Sequence, residues 1–409
     1  MARFLCKWAI SFAGLLAPTI CLASGPDVIV GFVDDAREFS RVGTKIGLTA
    51  STNSCNIGDA PLNWLALSPP APAPGSSKHP AITLNFYRLM DGRMEQLAKS
   101  WIKHGFFATN QGQCAQIPEM GNRVCQPGVG GTQLRPGCSD YYSEDLNSDP
   151  ERLGPRSRIA NAATVEFDAA TAQDLTGYPP SKDAERVLLV EEADLQQATA
   201  RYFLEAHYLT ADDAAAGNAR NNVTYREVKP VLRSGAWALV FQTDNIRTQP
   251  AITAWKDAGA LLGEIETLEG GAKTYLMIGS KASPAPGGKV RYDYTVYNMN
   301  SDLAVQSFSV PANGVDAASV GFKAVASNGE IWSNDPWQSK IDAEAVTWST
   351  KSYDQDKNAN AIRWGSTYTF WFVASGAPGK AMGTVMRFKP ASGGISPTAS
   401  TAIVAPGRN

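Results

Sequence analysis

The chain is short of histidine: three occur in 409 residues, His79, His104 and His207. Imidazole chemistry near neutral pH is confined to those positions. It also lacks a basic excess, with 37 Lys and Arg against 39 Asp and Glu. Nothing in this balance suggests a protein that neutralises phosphate backbones, and no nucleic-acid partner is expected. After the N-terminal apolar run no second long one follows, so no membrane span is expected in the mature chain. No internal repeat or sustained heptad is present.

What is present begins with "MARFLCKWAISFAGLLAPTICLAS", in which Arg3 and Lys7 precede an apolar run and then small residues. This is the pattern of a secretory signal peptide over residues 1–23, with cleavage expected near Ala23 and a secreted or periplasmic product. Lipidation at Cys21 is the weaker alternative, because Pro18-Thr19-Ile20 does not supply the small residues such a site needs. Without Arg3 and Lys7, 35 cations face 39 anions, a formal charge of −4.

Of six cysteines, Cys6 and Cys21 fall in the signal, leaving Cys55, Cys114, Cys125 and Cys138. An even number in an exported chain points to two disulfides. Three pairings exist; the short segment between Cys114 and Cys125 favours that pair, with Cys55 to Cys138. A zinc site is the alternative, but the tight C-x2-C spacing is absent.

The remaining length predicts two domains. The C-terminal one, 289–409, reads as an antiparallel β-sandwich: Lys289–Met299, Leu303–Val310, Ser319–Ala326, Glu344–Ser352, Ser366–Ala374 and Met382–Pro390 are short, β-branched and aromatic runs. In "STYTFWFVA", Tyr368, Phe370 and Phe372 share one face and Thr369, Trp371 and Val373 the other, so this strand belongs inside a sheet stack. The boundary is placed in the Pro- and Gly-rich Ser280–Lys289. The domain over 24–280 is irregular but β-rich, so the fold class is mainly β. "LSPPAPAPGSSKHP" (Leu67–Pro80) reads as a stiffened, extended loop. One helix is expected over Gln249–Leu268, where apolar residues recur at helical intervals.

"SWIKHGFFATNQGQC" (Ser100–Cys114) carries Lys103-His104. Met94, Leu97, Ala98, Trp101 and Ile102 fit a helix capped by Asp91 and closed by Gly105, with Lys103 and His104 complementing its C-terminal carbonyls. The competing reading makes Asp91-Gly92 the turn of a hairpin. The functional reading takes His104 as a general base or metal ligand.

"GCSDYYSED" gathers Ser139, Asp140, Tyr142 and further acids beside a cysteine, but no nucleophile-elbow motif surrounds Ser139. In "ARYFLEAHYLT", strand alternation puts Glu205 and His207 on one face, either as an acid/base pair or on a solvated surface. The following "ADDAAAGNARNN" supplies Asp212, Asp213, Asn221 and Asn222, oxygen donors of the kind calcium takes. "YDQDKNANAIRWG" imitates an EF-hand opening but has Gly365 where the loop needs glutamate, and reads as a polar turn before a strand. Trp332 and Trp337 lie in a loop-like run where exposed rings can stack on sugars.

"SWIKHGFFA", "GCSDYY", "YFLEAHYLTADDAAAGNARNN" and "NAIRWG" together resemble a group of uncharacterised secreted bacterial proteins whose C-terminal half is sandwich-like. The resemblance spans most of the mature chain and implies no activity, cofactor or substrate. Two expectations follow. In the first, an exported enzyme acts on an extracellular polymer, carbohydrate above all, through His104, Asp140, Tyr142, Glu205 and His207. In the second, a non-catalytic extracellular protein binds a polymer or cell-surface ligand, or plays a structural part, stabilised by disulfides and by calcium at Asp212, Asp213, Asn221 and Asn222.

Overall fold

The computed structural model describes residues 24–65, 78–127, 130–167 and 175–407. Residues 1–23, read from the sequence as a signal peptide and including Cys6 and Cys21, and most of the proline-rich Leu67–Pro80 stretch lie outside the described residues. The protein is mainly β, as its composition of short β-branched runs requires.

The N-terminal half is built on a curled antiparallel sheet. Its strands run in the order Leu188–Glu191, Lys45–Asn56, Val28–Val42, Ala236–Phe241, Val223–Arg233, Arg201–Leu209, Ala81–Met90, Ile102–His104 and Leu153–Gly154. Alternation gives this sheet two buried faces. Leu204, Ala206 and Tyr208 join Leu84, Phe86, Val30 and Leu48 in the core inside the curl. The opposite face carries Phe203, Tyr87 and Leu89, together with Ala81, Ile102 and Leu209.

That second face is covered by the C-terminal half, a sandwich of two five-stranded sheets. One sheet orders Leu261–Glu269, Ala272–Pro284, Val290–Asn298, Ser366–Ala374 and Val315–Lys323; the other orders Gln338–Ile341, Ala345–Ser349, Val305–Pro311, Pro378–Arg387 and Thr398–Pro406. Tyr368, Phe370 and Phe372 point into the sandwich core with Phe308, Trp337 and Trp348. From the other side of the same strand, Thr369 donates to the Met94 carbonyl at 3.0 Å and Trp371 stacks under the Arg93 guanidinium at 3.8 Å. The strand apolar on both sides thus sits in the middle layer of three.

Several local expectations are corrected. Residues 91–105 form no helix: Ala81–Met90 and Arg93–Lys99 pair as a hairpin, and Asp91 and Gly92 both take positive φ, 51° and 80°, as a type I′ turn demands. Of the helix expected over Gln249–Leu268, only a 3₁₀ segment at Ala251–Ala258 forms. Gly259, at φ 85°, ends it, and Leu261–Glu269 pairs with Ala272–Pro284 instead. Ser280–Lys289, where the domain boundary was placed, lies within the first sandwich sheet, running from one of its strands through a turn into the next. Trp337 is a core residue, 5% exposed, hydrogen-bonded to the Asn360 carbonyl.

Both disulfides form, but as Cys55–Cys114 and Cys125–Cys138. The expected pairing fails for a stereochemical reason. Cys55 is registered opposite Ser139, so strand alternation turns the neighbouring Cys138 to the opposite face; Cys138 lies in the curl's core and Cys55 in a separate outer cluster. Gly31 makes room for the first bridge, since a Cβ there would stand 2.2 Å from Cys55 Sγ. The Cys55–Cys114 bridge spans 59 residues, a loop for which chain entropy predicts about 4 kcal/mol. Cys55→Ala/Cys114→Ala is expected to lose about 2–5 kcal/mol in denaturant unfolding, and peptide mapping without reduction should recover Cys55 with Cys114. A Cys55–Cys138 peptide would contradict this register.

Candidate functional site

The five acid/base candidates are divided by the N-terminal sheet. Asp140 and Tyr142, on Ser139–Tyr142, point into the curl; His104, Glu205 and His207 point to the face covered by the sandwich.

Inside the curl, the Asp140 carboxylate accepts from Thr109 N and Oγ1, both at 2.8 Å. Burial pushes its pKa up, against those two bonds. The Tyr142 hydroxyl accepts from Trp64 Nε1 at 2.9 Å and from Phe106 N at 3.2 Å. Lys103, one residue from His104 and so on the opposite face, enters this group. Its Nζ lies 4.0 Å from the Tyr142 ring centre and 4.5 Å from that of Phe106, and donates to the His104 carbonyl at 2.8 Å. Burial, then Arg152, lowers its pKa to about 7. Ser139 is spent on the backbone, donating to the Gln111 carbonyl at 2.9 Å.

On the covered face, His104 Nδ1 lies 3.0 Å from His79 Nε2. The His79 ring stacks on Phe167 at 4.6 Å. Burial lowers the pKa of His79 to about 4 and that of His104 well below the usual imidazole value. Both are neutral at pH 7, so one ring donates to the other. The C-terminal-helix role for Lys103-His104 is excluded because both belong to a strand, Ile102–His104.

Glu205 sits in a polar seam between the two halves. It accepts from Asn85 Nδ2 at 2.7 Å, Tyr87 Oη at 3.3 Å and Ala251 N at 2.7 Å. Burial raises its pKa to about 7 against those donors. His207 shares its face, as alternation predicts, but neither ring nitrogen has a hydrogen-bond partner among the described residues. Burial lowers its pKa to about 3, so it stays a neutral ring. The face read as either cleft or solvated surface is neither: the sandwich closes it.

The residue that organises the seam is Arg156, which gave no signal in the sequence. Its Nε donates to the Ser100 carbonyl at 2.6 Å and its Nη1 to the Gly365 carbonyl at 3.0 Å. Its Nη2 reaches the Leu84 carbonyl at 3.1 Å and Asn85 Oδ1 at 3.0 Å. Gln96 crosses the same seam, donating to Asn85 Oδ1 at 3.0 Å and accepting from Thr367 N at 2.6 Å. Glu330 accepts from Arg156 N at 2.5 Å and from Ser157 Oγ at 2.6 Å. Lys99 Nζ donates to Ser366 Oγ at 3.0 Å.

The four oxygen donors proposed for calcium are also split. Asp212 turns to Asn63, accepting from its backbone N at 2.7 Å and its Nδ2 at 3.0 Å. Asp213 is fully buried and accepts from Val28 N at 2.9 Å and Asn222 Nδ2 at 2.8 Å. Asn221 Nδ2 donates to Asp27 at 3.3 Å. Asp27 escaped the sequence reading because it lies far away along the chain.

In the second oxygen-rich run, Asp356 caps its own turn at Asn358 N, 2.9 Å, and Asn360 bonds Tyr368 and the Asp335 carbonyl, as a polar turn should. Surface clefts of about 120, 210, 510 and 600 Å³ are lined by residues other than the five acid/base candidates. No protein-family model and no curated protein matches the chain.

Glu205 makes stability depend on pH. Its folded pKa, about 7, stands above the ordinary 4.5, so the folded state holds a proton between those values that the unfolded chain has lost. This contribution is fully present below pH 4.5, falls as pH rises through 7, and amounts to about 3 kcal/mol. Asp27 acts with the same sign, so the comparison must be with Glu205→Gln. Wild type should lose stability relative to that variant between pH 4.5 and 7 in chemical denaturation. Parallel curves would show that Glu205 titrates normally.

Proposed function

We propose that the chain is a non-catalytic extracellular binding or structural protein, a rigid module whose halves are locked by a polar seam and stapled by disulfides. One observation carries this reading: His104, Asp140, Tyr142, Glu205 and His207 are each at most 3% exposed. A general acid or base must come within hydrogen-bond reach of substrate, and these groups meet the protein's own atoms instead. Displaced pKa values mark functional sites when they occur in a cleft. Here the first cause of displacement is burial for Asp140, Glu205 and His207 alike.

Export is part of the proposal. Two disulfides support an oxidising compartment, and no helix among the described residues is long and apolar enough to cross a membrane. The resemblance to secreted bacterial proteins agrees with this placement.

The test pairs turnover with retention. Purified protein is incubated with soluble and insoluble extracellular polysaccharides, and both released reducing ends and co-sedimented protein are measured. No release is expected, with identical baselines for wild type and Glu205→Gln, together with retention on a polymer or cell surface or assembly into oligomers. Release that disappears in a folded Glu205→Gln variant would restore the enzyme reading. A monomer that binds no polymer or surface would contradict the binding or structural role.

A further inference from the structure

Two carboxylates and two amides meet where the 24–28 segment passes the connection that follows Arg201–Leu209. Thr210 caps a short helix, Ala211–Ala216, which Gly217 ends in a left-handed conformation at φ 81°. The chain then turns back through Asn221 and Asn222 into Val223–Arg233. This return places Asn222 beside Asp213 and Asn221 beside Asp27. Asn218 Nδ2 also donates to the Pro26 carbonyl, at 2.8 Å, so the two segments are held together on both sides of the cluster.

Oxygen acceptors outnumber donors here. Asp27, Asp213 and Asn222 are at most 1% exposed. Asp27 Oδ1, Asn221 Oδ1 and Asn222 Oδ1 are buried with no hydrogen-bond partner among the described residues. A buried acceptor left unmatched costs about 1–3 kcal/mol, and three in one place call for a common partner. The amides already donate to the carboxylates, so an additional partner must offer these oxygens a donor or a positive charge, and one cation can serve several oxygens at once. Arg123 favours the ionised form of Asp27 electrostatically, but its own Nη1 is also without a hydrogen-bond partner among the described residues. A proton shared by Asp27 and Asp213 could serve one oxygen and would leave the amide oxygens unmatched.

We propose that Asp27, Asp213, Asn221 and Asn222 bind a calcium ion that fastens the 24–28 segment to the 210–222 connection. The donor set is oxygen alone, carboxylate and amide, which suits a hard cation and offers zinc or copper no nitrogen or sulfur. Half of the set is amide, and no group of three or more His, Cys, Asp or Glu side chains suited to a metal occurs among the described residues. Calcium accepts amide oxygens readily, whereas magnesium keeps more of its water. With only two carboxylates the affinity falls in the range of extracellular modules, about 10⁻⁴–10⁻³ M. Asp212 is outside the set because its carboxylate turns away to Asn63, whereas Asp213 faces Asn222, a member of the cluster. The site deepens the structural reading above by naming the ion, and it can fail separately.

The experiment is calorimetric titration of the chelator-treated full chain with calcium chloride, with melting temperature recorded with and without the ion. One equivalent is expected to bind and raise the melting temperature by several degrees, with a smaller rise for magnesium. Asp27→Asn and Asn222→Ala should each weaken binding at least tenfold, while Asp212→Asn stays within twofold of wild type. If Asp27→Asn does not fold, Asn222→Ala and the wild-type calcium-dependent melting shift still decide. No heat and no shift at 10 mM calcium would overturn the site, as would binding that survives Asn222→Ala unchanged. Either result leaves the non-catalytic reading standing. Polymer turnover by wild type would remove that reading and leave the calcium site untouched.

Discussion

The arrangement of the two halves depends on one buried guanidinium. Arg156 reaches the Ser100 and Leu84 carbonyls of the N-terminal half and the Gly365 carbonyl of the sandwich. A cation removed from water is tolerable only when its donors are engaged by well-placed acceptors. Its pKa nevertheless falls to about 10 through burial, with Glu330 and Glu205 opposing the fall. Breaking such an arrangement by removing one partner costs about 3–5 kcal/mol. The polar seam therefore acts as a specificity device: apolar surfaces alone could slide, but carbonyls, Asn85, Gln96 and Thr367 meet in one registration.

This gives the unusual ionisable groups a common origin. Glu205, Lys99 and Glu330 are displaced by burial first, because all three are enclosed where the two halves meet. Function is not required to explain their chemistry. The same covering encloses His104 and His207 and leaves both rings neutral, as apolar-pocket histidines are.

Much of the architecture was legible because its signals are periodic. Each of the six predicted C-terminal runs overlaps a strand, and the two faces of "STYTFWFVA" divide as alternation requires. Glu205 and His207 share a face for the same reason. What could not be read depended on partners distant in sequence. The residues around Asp91-Gly92 satisfy both a helical template and a hairpin, and pairing of Arg93–Lys99 with Ala81–Met90 decided for the hairpin. The cysteine pairing depended on which face Cys138 presents once Ser139–Tyr142 adds to Lys45–Asn56. Arg156 looks like any surface arginine in "LGPRSRIAN", and Asp27 stands 186 positions before Asp213. The site residues were chosen by chemical type, which identified groups that are electrostatically perturbed without revealing that they are enclosed.

A seam held by Arg156, Gln96 and Asn85 is expected to stay closed, with no open state that brings Glu205 or His207 to solvent. Native-state amide hydrogen exchange tests it most directly, through peptides covering Leu84–Tyr87, Phe203–His207 and Gly365–Thr367. These amides are expected to exchange only with global unfolding, with the same protection as Tyr294 and Phe370 in the sandwich core. Protection lower by two or more orders of magnitude, with the sandwich core unchanged, would reveal a separate opening of the two halves and contradict the account.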